Sequence, residues 1–376
     1  MVVTDLANAA HSTRARDAWW DNARGLAVLL VVVGHAVQPA TDSSASADWL
    51  YRLIYLFHVP LLVLVTGYLT AELTHRRAGR LVTALVVPYL AFELVQWGER
   101  TLTQGHPAHL DLLVPGWTLW YLPAVVAWRL AAPMLRAVRP GILLAGSVVV
   151  SIAAGLGHGV THTLALDDVL TYLPFFVAGL VLREAPVRAW LDARGARVAA
   201  LTTVALAAAA TWLTRGRLGT GTFQLDGGNA DWGTSDLRGS VVRFGLLLAG
   251  AALVAAVLTL VPRGRSWLTG LGLASLFVYL LHAPVLDVLR RTSLLDGVTS
   301  WWQTALVALA AAGLAAVLAT RLVRAATRWA VEPPIERYVL RGGAAGTGHA
   351  ADPQAVNPVR GRSEVSPRSR SPFASA

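Results

Sequence analysis

Apolar runs of about 20 residues recur along this chain from residue 24 to about residue 323. Each is long enough to cross the roughly 30 Å hydrocarbon core of a bilayer as a helix. Only a helix or a closed barrel satisfies its own backbone there, so this pattern constrains the fold more than any motif does. The chain is expected to be all-α, a polytopic integral membrane protein with about ten transmembrane helices. Their expected bounds are 24–40, 50–70, 80–97, 117–136, 141–156, 168–183, 197–213, 240–260, 267–288 and 302–322. Pro60, Pro88, Pro123, Pro174 and Pro284 break several of them. Lipid tolerates such breaks where neighbouring helices or a wet cavity meet the freed backbone groups. The first run is read as a retained span rather than a cleaved signal, since no small-residue cleavage site follows it.

Composition agrees. The chain is 55% hydrophobic and 14% charged, with mean hydropathy +0.52, and a soluble domain of 376 residues would carry more charge. There is no cysteine, which excludes disulfides, thiolate nucleophiles, cysteine-based zinc sites and iron–sulfur clusters. Every basic side chain is Arg, so no Lys is present to act as a Schiff base or general base. The net charge of +10 is assigned to topology and lipid headgroups rather than to nucleic acid.

Arginine also sets the orientation. One set of loops holds Arg14 and Arg16, then Arg76, Arg77 and Arg80, then Arg136 and Arg139, then Arg183, Arg188, Arg194 and Arg197. It continues with Arg263 and Arg265, then Arg321, Arg324 and Arg328. The opposite set holds Arg100, Arg215, Arg217, Arg238, Arg290 and Arg291 among many acids. Both termini are expected on the cytoplasmic side of the plasma (inner) membrane. Residues 1–20 form a cytoplasmic segment, 21–330 the membrane domain and 342–376 a disordered cytoplasmic tail. The longest outer loop, 214–239, is rich in Gly, Asp and Thr; it either closes over a polar ligand or is a solvated connector.

Polar groups inside a membrane are costly and usually have a task. Arg24 and His35 stand eleven positions apart in the first span. Eleven steps of about 100° return the chain to within about 20° of the same face, and at ~1.5 Å per residue the two are roughly 16 Å apart. Arg24 then lies at the cytoplasmic edge and His35 in the outer half. His58, Glu93 and His282 fall at a similar depth in three other spans. His is the natural general base for a hydroxyl, because its pKa lies near working pH. Glu93 either orients a histidine or pairs structurally with an arginine such as Arg52. A lone transmembrane His is also a common helix–helix hydrogen-bonding group, which stands as the other reading of His58 and His282. Zinc held by these groups is the competing chemistry, and no close ligand spacing among these intramembrane residues supports it. Arg76, Arg77 and Arg80 are either ordinary positive-inside charge or a phosphate clamp, for which Arg's forked donors suit a nucleotide-like anion. Trp117, Trp120 and Tyr121 are placed to stack on a sugar, or are interfacial aromatics.

Several stretches, taken in order, resemble the acyltransferase-3 family of integral membrane O-acyltransferases. DNARGLAVLLVVVGH is similar to the family's first helix, with Arg, ten residues, then His. FHVPLLVLVTGYL is similar to its second-helix motif, with Val59 and Thr66 standing for the usual Met and Ser. Arg77-Ala-Gly-Arg80 matches an Arg-x-x-Arg. WTLWYLPAVVAWRL, LPFFVAGLVL and SLFVYLLHAPVL resemble later helices, so the likeness runs from residue 17 to about 325. It implies ten helices, acyl-CoA (commonly acetyl-CoA) as a cytoplasmic co-substrate with no permanently bound cofactor, and transfer to a hydroxyl, often of a carbohydrate, at the outer face. It carries roles to Arg24, His35, Arg77 and Arg80. Arg24, Arg76, Arg77 and Arg80 are expected to hold acyl-CoA, His35 to act as base with Glu93 or His58 orienting it, and Trp120, Tyr121 and His282 to meet the acceptor. Since the likeness covers most of the sequence, no extracytoplasmic hydrolase-like domain of the kind some relatives carry is expected. The rival readings are a proton-coupled transporter or flippase and a non-catalytic partner that has kept the fold.

Overall fold

The computed structural model describes residues 17–104, 108–156, 162–185, 187–292, 295 and 297–335, and only the backbone of Arg76 and Gln104. Most of the expected N-terminal segment and the whole of the expected 342–376 tail lie outside the described residues. What is described is helical, with no strand among the described residues. In chain order the helices are α1 (Ala18–Val37), α2 (Ala45–Tyr55), α3 (His58–Leu69), α4 (His75–Leu81), α5 (Val87–Gln104), α6 (Tyr121–Arg136), α7 (Pro140–Ala153), α8 (Leu166–Thr171) and α9 (Leu173–Leu182). They continue as α10 (Val187–Leu191), α11 (Ala196–Leu213), α12 (Thr220–Gln224), α13 (Asp236–Leu260), α14 (Trp267–Leu273), α15 (Ser275–Arg290), α16 (Trp301–Leu318) and α17 (Arg321–Val331).

Local chemistry marks where these helices begin. Asp17 accepts from the Trp19 N–H at the head of α1, and Ser44 from the Ala47 N–H at the head of α2. Ser300 and Gln303 form a reciprocal box at the head of α16. Each satisfies donors the first turn would leave bare. Between α4 and α5 the chain is π-helical over Val82–Val86. Pro88, two residues past its end, has no N–H to return to the Ala84 carbonyl, so the ladder resets there.

Six helical segments are long and apolar enough to cross a membrane: Ala18–Ala40, Ala45–Leu69, Arg77–Thr103, Ala196–Leu213, Asp236–Leu260 and Trp301–Leu318. Two more arise if bent pairs count as single spans, α8 with its preceding turn plus α9 (62°) and α14 plus α15 (79°). The expected ten is therefore not reached among the described residues by length and composition. The two remaining segments are helical but short: α6 has 16 residues and α7 has 14, about 24 and 21 Å at ~1.5 Å per residue. Helix α6 also carries Arg129 within its apolar stretch. The outer helices bear the mark of lipid contact. Only 11% of the apolar window of α11 is buried, and Leu206 and Leu213 are 65% and 71% exposed. An apolar face that broad is not left to water.

Helix α1 is the central strut and packs on α3, α14, α15 and α16. Its contact with α14 runs backbone to backbone. A Cβ on Gly25 would collide with the Leu268 carbonyl, and one on Gly272 with the Asp21 carbonyl. Helices α3 and α9 meet the same way through Gly67 and Gly179. In lipid there is little hydrophobic drive between helices, so close approach through small residues supplies the association. Gly179→Val should therefore lower the thermal unfolding temperature by several degrees, at a cost of about 1–3 kcal/mol for overpacking. Gly146→Val, where a Cβ meets nothing within 4 Å, should leave it unchanged; intrinsic tryptophan fluorescence on heating reads both.

Candidate active site

His35 lies in the last turn of α1, half-buried, with its Nδ1 3.1 Å from the Tyr55 hydroxyl of α2. Its ring stacks on His282 of α15 at 5.5 Å between centroids and meets the edge of Trp117 at 4.8 Å. Arg290, one helical stretch beyond His282, donates to the His35 carbonyl and to Gln38 Oε1, both at 2.7 Å. Its guanidinium lies 4.0 Å from the Trp117 ring centre. One arginine thus caps the carbonyl end of α1, where a cation is favourable, and fixes the aromatic wall beside the imidazole.

His58 and His282 are both buried, and each directs Nδ1 to a carbonyl one turn earlier, Ile54 at 2.9 Å and Val278 at 3.1 Å. A carbonyl only accepts, so Nδ1 carries the proton in the neutral ring and Nε2 keeps its lone pair. His282 Nε2 has no hydrogen-bond partner among the described residues. His58 packs against Tyr55 at 4.6 Å. Three histidines from three helices thus gather around Tyr55 and Trp117. With Trp120, Tyr121 and Tyr172, His35 and His58 line a cavity of about 310 Å³. The Tyr121 hydroxyl meets Thr66 Oγ1 at 2.6 Å.

Glu93 does not join the histidines. It is buried and accepts the Gly116 N–H at 2.6 Å, so it holds the turn that carries Trp117 and does not line the cavity. The position beside His35 Nδ1 that was expected of Glu93 or His58 is taken by Tyr55. Arg52, weighed above as a partner for Glu93, pairs instead with Asp48 at 2.6 Å and donates to the Leu218 carbonyl. Loop 214–239 folds back over α2. The Gln224 amide donates to the Tyr51 hydroxyl, and Gln224 and Asp226 line the His35 cavity.

At the far end of α3 a second cavity of about 310 Å³ is lined by the 69–73 turn, Arg77, Arg80 and Arg129. Arg77 donates to the Glu72 carbonyl at 2.8 Å. Arg136 and Arg183 both donate to the Thr70 carbonyl at the end of α3, which adds positive charge to the same rim. Arg24 pairs with Asp21 at 2.9 Å and does not line this cavity. The Arg76 side chain lies outside the described residues. Sequence reasoning passed over Arg129, although a lone Arg in the apolar run AVVAWRLAA is itself the intramembrane signal. It also passed over His162, Asp167 and Asp226, whose ligand atoms lie within 4.8 Å of one another. One imidazole and two carboxylates are donors of the kind that hold zinc, and all three residues line the same cavity as His35 and His58.

The described residues thus form an all-helical bundle with an imidazole-lined cavity at one end of buried helix α3 and an arginine-lined cavity at the other. The sequence model of the acyltransferase-domain family matches residues 17–320, and the chain belongs to that family. It is also similar to two proteins called nodulation protein NolL. It is 27% identical to that of Sinorhizobium fredii over 189 residues, 45% of this chain and 49% of the relative. To that of Mesorhizobium japonicum it is 31% identical over 93 residues, 23% of this chain and 25% of the relative. The matched region thus spans half or less of those relatives. No solved structure matches the chain.

The Arg290 arrangement predicts its own test. Arg290→Leu removes two charge-assisted hydrogen bonds, each worth about 1.5–3 kcal/mol, and should lower the unfolding temperature by several degrees. Arg290→Lys should not restore it, because one ammonium cannot reproduce the planar fork.

Proposed function

We propose that this protein is a membrane O-acyltransferase that moves an acyl group, acetyl first among the candidates, from acyl-CoA to a hydroxyl of a carbohydrate acceptor. One observation carries the reading. Helix α3 connects the two cavities, with His58 at its first residue lining one and Leu69 at its last lining the other. Twelve residues at ~1.5 Å each separate them by roughly 17 Å, a gap that an extended pantetheine arm covers. The positive-inside rule puts the arginine end on the cytoplasmic side of the plasma membrane, where CoA is found.

In this reading Arg77, Arg80 and Arg129 hold the CoA phosphates through forked, charge-assisted hydrogen bonds. The thioester reaches the aromatic cavity between α1, α3 and α6. His35 takes the acceptor hydroxyl proton on Nε2 while Nδ1–H donates to the Tyr55 oxygen. The hydroxyl oxygen attacks the thioester carbonyl, the C–S bond breaks, and the CoA thiolate takes the proton from His35. His58, with its Nε2 lone pair set by Ile54, faces the same cavity and binds the acceptor hydroxyl or the passing proton. Glu93 acts at one remove, by holding the turn before Trp117.

Purified protein in nanodiscs with radiolabelled acetyl-CoA should transfer label to a glycan acceptor and release free CoA. His35→Ala should cut the rate at least 100-fold, within the range usual for general-base removal, while leaving the acetyl-CoA thermal shift intact. Paired Arg77→Gln and Arg129→Gln should abolish that shift. Solute flux without CoA release, or wild-type turnover by His35→Ala, overturns the reading.

A further inference from the structure

The two cavities differ in charge as well as in depth. Among the described residues the donor-side cavity is lined by Arg77, Arg80, Arg129 and the acid Glu72. The His35 cavity continues into a neighbour of about 260 Å³, with which it shares His162, Asp167, Asp168 and Asp226, and which runs on to Asp231. Among the described residues no arginine lines either one, in a chain whose net charge is +10. Arg243 adjoins the same turn but is fully buried. It donates to the Leu225 and Gly227 carbonyls at 3.1 and 2.8 Å and lies over Trp232 at 4.6 Å. It fixes the backbone that presents Asp226, and among the described residues it attracts that carboxylate without a direct ion pair. Among the described residues neither Asp168 nor Asp226 has an ion-pair partner. Beside them Trp120 stacks on Tyr172 at 5.6 Å, a flat apolar wall next to the Asp168 and Asp226 carboxyl groups.

We propose that this acidic, aromatic passage selects the acceptor: it takes a sugar unit that carries hydroxyl or amino groups and no anionic group near the acylated hydroxyl. The inference rests on the acyl-transfer reading and names the substrate class for that same site. Carboxylates accept from sugar hydroxyls and ammonium groups through charge-assisted hydrogen bonds, and the ring face lies on Trp120. A carboxylate, sulfate or phosphate entering the same passage meets like charge where water is scarce and screening weak. The same field keeps the polyanionic CoA at the arginine end, so each substrate is sorted to its own side.

The test uses three disaccharides of equal length: diacetylchitobiose (neutral), chitobiose (amino-bearing) and digalacturonate (anionic). Binding is read from tryptophan fluorescence of the full chain in nanodiscs, which avoids sugar-headed detergents, with EDTA present so that no cation bridges the carboxylates. The neutral and amino disaccharides should bind at least tenfold more tightly than digalacturonate. The double variant Asp168→Asn, Asp226→Asn should narrow that ratio below threefold while its acetyl-CoA thermal shift shows it folded. Digalacturonate binding within threefold of the neutral sugar, or an unchanged ratio in the double variant, overturns the proposal. So does an absence of all three signals with the acetyl-CoA shift intact, which leaves the acyl-transfer reading standing. Loss of the acetyl-CoA shift in the wild type removes that reading as well.

Discussion

A polar side chain inside a bilayer has to find its partner on the protein, and the partner it finds decides what it is left free to do. His58 and His282 give one nitrogen each to a carbonyl one turn back, which leaves the other nitrogen as a lone pair. Arg243 and Arg290 give their donors mainly to carbonyls, so they shape backbone at turns and helix ends. The Thr70 carbonyl collects two arginines and anchors the end of α3 beside the second cavity. In water each of these groups would have had solvent as an alternative. Here the requirement for a partner inside the fold builds the polar centre.

That centre is placed accurately because the helices carrying it touch through glycine. Gly25 against α14 and Gly67 against Gly179 bring backbones into direct contact, where no side chain can rotate to absorb a shift. Helices α1 and α3 are thereby fixed at their Arg24 and Leu69 ends, and the rigidity of a continuous helix carries that placement on to His35 and His58. The outer helices α11 and α16 have most of their apolar surface turned away from the protein. They shield the bundle from lipid, and among the described residues none of their side chains lines the cavities at either end of α3.

Much of this was legible in the sequence. Length and periodicity of the apolar runs gave the helical class, and Pro88 and Pro174 mark where ideal spans fail. The depth argument brought His35, His58 and His282 together from three separate segments, because rise per residue is nearly constant in a helix. It failed for Glu93, because depth fixes height and not azimuth: Glu93 shares the level but turns towards Gly116. Tyr55 was invisible for the opposite reason. The chain breaks at Leu56–Phe57 between α2 and α3, so the face of α2 could not be extrapolated from α3. The count of ten spans used hydropathy alone, whereas α6 and α7 are helices too short for that measure.

The breaks themselves sit at the His35 cavity. The 62° bend between α8 and α9 falls at Tyr172, whose ring reaches the His35 cavity. The chain turns between α2 and α3 directly before His58, and α6 begins at Tyr121 after an irregular stretch holding Trp117 and Trp120. A continuous helix offers a cavity one side chain per turn along a single stripe. A broken one offers several adjacent residues and its own free backbone groups, which lipid forbids unless they face protein or a wet space. Breaks and cavity therefore imply each other: the cavity makes the breaks tolerable, and the breaks supply the density of aromatic and imidazole groups that line it.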